Sequence, residues 1–134
     1  MTYHDPCNIA RSGWVVEQPR KILRSFVKNF VEMTPCGRDN HCCGGGGGLV
    51  SIDETHDFRM NVSGKIKADQ IRRTGAELVV APCANCKKQL KELVEHYQLP
   101  CQVIGLHDLV LRAIEIPGGR SPRERLEEAK ALAM

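Results

Sequence analysis

Short apolar runs alternate along this chain with longer stretches of helical period, and the alternation predicts its main elements. "MTYHDPC" opens on a strand-like run that ends at Pro6. Behind Pro19, a residue suited to a first helical turn, Ile22, Leu23, Phe26, Val27 and Phe30 share one face and predict a helix over about 18–31. A second strand is expected around Val31 to Thr34. A second helix is expected from about Gly64 to Thr74, with Ile66 and Ile71 inward and Gly75 as its stop. "ELVVAPC" is a continuous apolar run of the kind buried on both faces of a parallel sheet. From Ala84 onward, Leu90, Leu93, Val94 and Tyr97 line a third helix that ends before Pro100. "CQVIGL" reads as another strand, and Leu106, Leu109, Val110, Ala113 and Ile114 as the apolar face of a fourth helix.

Strand and helix taken in turn imply an α/β fold, a roughly four-stranded parallel sheet flanked by helices and joined by right-handed crossovers. In such sheets ligands gather at the carboxyl ends of the strands. Proline precedes Cys7, Cys36, Cys83 and Cys101, and each pair reads as a strand boundary because proline cannot extend a ladder. Cys7, then Cys36, Cys42 and Cys43, then Cys83 and Cys86 therefore follow successive strands, and a cysteine site is expected at one sheet edge. After "IPGGR" the tail carries a helix start of its own, with Ser121 as cap, Pro122 in the first turn and Glu124 closing a capping box. The expected division is residues 1–116 as the cysteine-rich domain and 117–134 as a C-terminal linker or helix.

Composition narrows the class. With 134 residues, 42% hydrophobic and 26% charged, the chain is sized and balanced for a single globular core. A net charge of +3 with acids and bases interspersed offers no nucleic-acid footprint. No stretch approaches the roughly 18 apolar residues that cross a bilayer. The abrupt start on a strand suggests a domain cut from a longer protein. Seven cysteines, an odd number, turn the expectation from a disulfide framework toward metal or redox chemistry.

Their spacing carries the chemistry. Cys83 and Cys86 form a CxxC at a helix start, where free N–H groups favour thiolates; redox pairs, half zinc sites and half iron–sulfur sites all use this spacing. Adjacent Cys42 and Cys43 point to opposite sides of an extended chain, which suits a group with several metal atoms better than a lone ion. A structural zinc takes four ligands and a cubane [4Fe–4S] cluster four cysteines, whereas Cys7, Cys42, Cys43, Cys83 and Cys86 make five thiols.

"YHDPC", "CCGGGGG" and "VVAPCANCKKQ" together resemble the cysteine-rich CCG domain, over about Tyr3 to Leu106. That family includes heterodisulfide reductase subunits, iron–sulfur subunits of glycolate and lactate oxidation, and DsrK, the sulfite-reduction-associated complex subunit. "HDPCNIAR" is most similar to the heterodisulfide reductase B/D type and to the C-terminal domain of DsrK. The resemblance implies that Cys7, Cys42, Cys43, Cys83 and Cys86 hold a noncubane [4Fe–4S] cluster and reduce a disulfide there; the gap from Cys43 to Cys83 is slightly longer than usual for the family, and that departure falls on the loop around His56 to Asn61. It implies as partners a membrane cytochrome subunit, other complex subunits and a small sulfur-carrier protein with redox-active cysteines, at the cytoplasmic face of the inner membrane. The alternative is a non-catalytic zinc-binding assembly module, and an isolated chain made in air takes up zinc, forms disulfides or stays empty.

Other residues have smaller expected roles. Gly44, Gly45 and Gly46, within the pentaglycine ending at Gly48, let the backbone pass an inorganic group without side-chain clash and aim N–H groups at it. Arg11, Arg38, Lys87 and Lys88 lie beside the cysteines in sequence and read either as charge compensation or as solvated surface. His4 and His41 are candidates for hydrogen bonds to sulfur, or for structural bonds, and His56, His96 and His107 for surface or capping positions. Cys36 is either an auxiliary thiol or a small apolar filler, Cys101 a core residue, and Trp14 a packing residue or else a wall of the cluster or of a partner surface.

Overall fold

A computed structural model describes residues 1–114 together with Ser121 and Glu124. Three parallel strands form its sheet: β1 (Thr2–Tyr3), β2 (Leu78–Ala81) and β3 (Gln102–Gly105), in the order β1-β2-β3. Thr2 pairs with Val79 and Tyr3 with Val80, while Leu78 to Ala81 pair with Gln102 to Gly105. Val79 and Ala81 face one buried layer with Ile71, Leu90 and Leu93, and Val80 faces the other with Tyr3, Leu23 and Leu106. Both faces of β2 are covered, which is why its sequence is apolar without alternation.

The helices are α1 (Glu17–Arg24), α2 (His56–Phe58), α3 (Lys65–Thr74), α4 (Ala84–His96) and α5 (Leu106–Ala113). Cys83 caps α4 in extended geometry and Gly75 ends α3 in the left-handed region that glycine tolerates. No helix among the described residues is long and apolar enough to cross a membrane.

Four expectations need correction. The strand expected at Val31 to Thr34 is reduced to one ladder-like bond, Val31 N–H to the Met1 carbonyl at 2.9 Å. Pro35 has no N–H to continue that pairing and Met33 turns into the core, so the sheet has three strands rather than four. The first helix stops at Arg24 instead of 31; Ser25 Oγ bonds the Ile22 carbonyl, and Phe26, Val27 and Phe30 pack on Tyr3 and Leu23 from the turn that follows. Ile66, expected inward, is 55% exposed, while Lys67, Ala68, Gln70 and Ile71 face the interior. The buried Lys67 head is accommodated there by Gln70 Oε1 and Met33 Sδ, and Gly64 at the start of the helix fits tightly, a Cβ lying 2.8 Å from the Leu93 side chain. The loop expected around His56 to Asn61 is helical, α2 running into a π-turn over Arg59–Ser63.

The capping box of the tail is made: Glu124 N–H bonds Ser121 Oγ, and Ser121 N–H bonds a Glu124 carboxylate oxygen at 2.7 Å. The remainder of the expected 117–134 segment lies outside the described residues.

Candidate metal centre

The carboxyl ends of β1 and β2 deliver two of the three cysteine segments. His4 N–H bonds the Val80 carbonyl at 2.9 Å and so prolongs β1 by one rung, after which Pro6 starts the turn bearing Cys7. β2 ends at Ala81, and two residues on Cys83 begins α4, with Cys86 in its first turn. The third segment arrives over the top of the sheet. Arg11 staples it, donating through Nε to the Arg38 carbonyl at 2.8 Å and through Nη2 to the Asn40 carbonyl just before Cys42.

A cavity of about 330 Å³ lies where these segments meet, lined by Cys7, Cys42, Cys43, Cys83 and Cys86 together with the backbone of Gly45 to Gly47. All five sequence-identified cysteines share this one wall. Cys43 Sγ lies 3.4 Å from Cys86 Sγ, and Cys42 Sγ accepts the Gly44 N–H at 3.4 Å. The crowding holds protons on sulfur. Contact with Cys43, then burial, pushes the Cys42 thiol well up, and burial followed by Cys42 raises Cys7. For Cys43 the bond with Cys42 lowers the pKa, but Cys86 and burial outweigh it, to about 12. Left to themselves these groups are neutral thiols, and metal binding displaces their protons.

The donor set fits a thiolate-bound metal group on two further observations. His4 is fully buried, neither ring nitrogen has a hydrogen-bond partner, and a ring nitrogen lies within 4.8 Å of the Cys43 and Cys86 sulfurs. Buried polar atoms rarely stay unpaired, so this orphan marks a place for a ligand or ion. The pentaglycine supplies the second. Gly46 and Gly47 line the cavity, and a Cβ on either would meet nothing within 4 Å, so the wall is bare backbone with room before it.

Gly44 and Gly45 have a different reason to be glycine. Gly44 has φ +89°, and a Cβ there would lie 2.8 Å from Ser63 and Gly64; one on Gly45 would lie 2.9 Å from Gln89. They let the loop pass over neighbouring helix residues. Of the three glycines singled out in the sequence, Gly45 and Gly46 line the cavity, whereas Gly44 supports from behind through its bond to Ser63 Oγ.

The cationic residues beside the motifs are engaged elsewhere. Arg38 stacks on the Trp14 ring at 3.4 Å, Lys87 pairs with Asp108 at 3.3 Å and Lys88 bonds the Val50 carbonyl. Trp14 is not packed inside but 65% exposed, held on the surface under that guanidinium. Cys36 stays outside the cavity, near Arg20 and Glu32, and Cys101 sits at the opposite end of the sheet beside Glu77 and Leu78.

Two features escaped the sequence reading. Asp5, inside "HDPC", is buried and held by Arg20 through two bonds of 2.9 and 2.8 Å, and it also takes the Gly37 N–H at 2.7 Å. Arg20 also bonds Glu32, so one guanidinium ties the first cysteine turn to α1 and to the approach of the second segment. The other is Lys67, fully buried on the inner face of α3. An acid immediately before a Pro-Cys turn was the available signal for the first; hydropathy concealed the second.

Residues 1–91 match the family described as the cysteine-rich domain, CCG. The chain is 35% identical over 130 residues to the Hdr-like menaquinol oxidoreductase iron-sulfur subunit 2 of Archaeoglobus fulgidus, covering 92% of this chain and 23% of that protein. It is 39% identical over 96 residues to a subunit of the fumarate reductase (CoM/CoB) of Methanothermobacter marburgensis, covering 71% and 18%. It is 32% identical over 116 residues to a subunit of the dihydromethanophenazine:CoB–CoM heterodisulfide reductase of Methanosarcina acetivorans, covering 85% and 27%. The chain thus spans about a quarter of the length of the first of these relatives. No solved structure matches. With the family match running through all five cysteines of the cavity to residue 91, the chain belongs to the CCG cysteine-rich domain family.

Proposed function

We propose that this chain is the iron–sulfur electron-transfer unit of a heterodisulfide-reductase-like complex, holding a noncubane [4Fe–4S] cluster on Cys7, Cys42, Cys43, Cys83 and Cys86 and reducing a disulfide there. The observation that carries the reading is the meeting of five thiols from three separated segments on one cavity of about 330 Å³. Five sulfurs exceed the four of a structural zinc or a cubane cluster, and the volume exceeds what one ion fills. The names of the relatives, iron–sulfur and heterodisulfide reductase subunits, support the same class.

When bound, such a cluster supplies single electrons to a sulfur–sulfur bond. In the overall reaction two electrons and two protons convert one disulfide into two thiols. The electrons come from a membrane cytochrome subunit of the complex and the disulfide from a small sulfur-carrier protein with redox-active cysteines, at the cytoplasmic face of the membrane in a sulfur-metabolising respiratory chain. The protein's own residues confine the group. Cys43 and Cys86 form the buried floor, Cys42 is the exposed edge, and Gly46 and Gly47 leave the wall open for an approaching sulfur.

A second reading, a non-catalytic zinc-bearing assembly module, is favoured by one observation. The donor atoms of His4, Cys43 and Cys86 lie within 4.8 Å of one another, a span that a single ion closes. Anaerobic reconstitution with iron and sulfide separates the two. The cluster reading expects about four irons per chain, a broad thiolate-to-iron absorption and a paramagnetic signal on oxidation or reduction. Stoichiometric zinc with no cluster spectrum under those conditions defeats it in favour of the module.

A further inference from the structure

His4 is the first residue beyond β1, and the strand fixes where its ring goes. Its backbone N–H bonds the Val80 carbonyl at 2.9 Å, and the alternation of a strand turns its ring to the face opposite Tyr3. Tyr3 packs with Leu23 and Val80, so the His4 ring enters the other layer, which holds Val79, Ala81, Cys43 and Cys86. The ring is fully buried, and one of its nitrogens lies within 4.8 Å of the Cys43 and Cys86 sulfurs, themselves 3.4 Å apart.

Neither ring nitrogen has a hydrogen-bond partner. Asn40 and Arg59 also leave one buried atom unpaired, but each bonds through another: Asn40 Nδ2 donates to the Gly37 carbonyl and Arg59 Nη1 to Gln89 Oε1. A neutral imidazole carries one N–H and one lone pair, and burying both unmet costs stability that an apolar side chain would not lose. Cys43 and Cys86 are the buried members of the five cavity cysteines, so water cannot readily serve their sulfurs either. Sulfur bound to a metal carries no proton and can only accept hydrogen bonds. A donor aimed at it steadies the ligand and favours the reduced state of a bound redox group.

We propose that His4 is the hydrogen-bond donor of the cavity floor, a positioning residue whose ring N–H is kept for the metal-bound sulfurs of Cys43 and Cys86. It thereby strengthens metal binding and makes a bound redox group easier to reduce. The inference rests on the metal-centre reading above, on its two buried sulfurs rather than on the identity of the metal. It differs from the zinc module, in which the same ring coordinates the ion directly.

The test uses the whole 134-residue chain with isotope-labelled histidine, loaded with NMR-active cadmium, a soft ion that thiolates hold. In the loaded wild type the His4 ring N–H, assigned by its absence from His4→Leu, should exchange slowly with solvent and couple weakly to cadmium through sulfur, with no direct nitrogen–cadmium coupling. His4→Leu removes both nitrogens. It should leave the metal-free chain at least as stable to urea while weakening cadmium binding about tenfold in chelator competition, the loss expected for such an outer partner. After anaerobic reconstitution its ratio of reduced to oxidised centre should be about tenfold lower at fixed potential, about 59 mV for one electron. His4→Gln keeps an N–H and should lie nearer to wild type than to His4→Leu in both affinity and potential.

A direct nitrogen–cadmium coupling overturns the proposal and makes His4 a ligand. So does a ring N–H that exchanges freely in the loaded chain, or affinity and potential unchanged in His4→Leu. Exchange and coupling are read on the wild type, with His4→Gln for assignment, so they decide the matter even where His4→Leu fails to fold. If the wild type binds no cadmium, the metal-centre reading falls and this one with it. If it binds cadmium but assembles no cluster, the cluster reading falls by itself and the cadmium measurements decide His4.

Discussion

Cys43 and Cys86 meet sulfur to sulfur at 3.4 Å although 43 positions separate them in the chain. Both are buried, at 3% and 7% exposure, so the contact sits at the floor of the cavity and belongs to the core as much as to the site. One sulfur comes from the loop before the pentaglycine and the other from the first turn of α4, so a group bound there cross-links two segments that are otherwise held mainly by packing.

Cys86→Ser should therefore separate folding from metal content. The hydroxyl keeps nearly the same volume, and the expected result is a native-like circular dichroism spectrum with less than half the wild-type iron and acid-labile sulfide after anaerobic reconstitution. Full iron content in Cys86→Ser would remove Cys86 from the ligand set.

The pentaglycine predicts its own asymmetry. At Gly44 both φ +89° and a 2.8 Å approach to Ser63 and Gly64 forbid a side chain, so Gly44→Ala should cost about 2–4 kcal/mol in metal-free urea unfolding. At Gly46 a Cβ meets nothing within 4 Å, and Gly46→Ala should stay within about 0.5 kcal/mol of wild type. Equal costs at the two positions would contradict this packing.

Asp5 and Arg20 are 1% and 3% exposed and joined through both carboxylate oxygens. Asp5→Asn leaves a buried guanidinium short of its anion and should lower stability by about 3–5 kcal/mol. Glu32, 31% exposed on the same guanidinium, can be solvated when the pair is lost, and Glu32→Gln should cost about 1 kcal/mol or less. Thermal unfolding of the two variants side by side checks the ranking.

Lys67 predicts a pH dependence. Its folded pKa is about 8 against an ordinary 10.5, so between those values the unfolded chain holds more protons and the Lys67 contribution to stability rises with pH. Below pH 8 the buried charge costs its full amount, at most about 3 kcal/mol from a shift of this size. The advantage of Lys67→Met over wild type in the metal-free chain should thus be largest near pH 7 and shrink toward pH 10. Asp5, His4, Cys7, Cys42 and Cys43, whose charges act on the same ammonium, remain in both chains. A difference that does not vary with pH would show that the ammonium is not desolvated.

Much of this was legible before the fold. "ELVVAPC" reads as a doubly covered strand because Leu78 to Ala81 are apolar without a break, and β2 is that strand. The CxxC at the head of a helix is where α4 begins, since Pro82 ends the strand and Cys83 caps the helix. The segment around Val31 misled because Met33 turns into the core and Pro35 has no N–H to offer, which leaves it a single bond to Met1 at the edge of β1. Periodicity could not place Ile66 and Lys67 either. Hydropathy ranks isoleucine inward and lysine outward, but α3 turns Lys67 inward, where Gln70 and Met33 meet its ammonium, and leaves Ile66 exposed.

Features with a local cause were already set in the order of the residues: the strand–helix alternation, the proline-punctuated turns, and five cysteines in a spacing that belongs to one family. Features that depend on approach between distant segments came from folding alone. Folding brought five thiols onto one cavity, left the His4 ring without a hydrogen-bond partner beside two of them, packed Gly44 on Ser63 while leaving Gly46 open, and buried the Lys67 ammonium on the inner face of α3. The reason is physical: burial and electrostatic compensation are set by neighbours far away in the chain, and a one-dimensional pattern records what a residue is but not which groups will surround it.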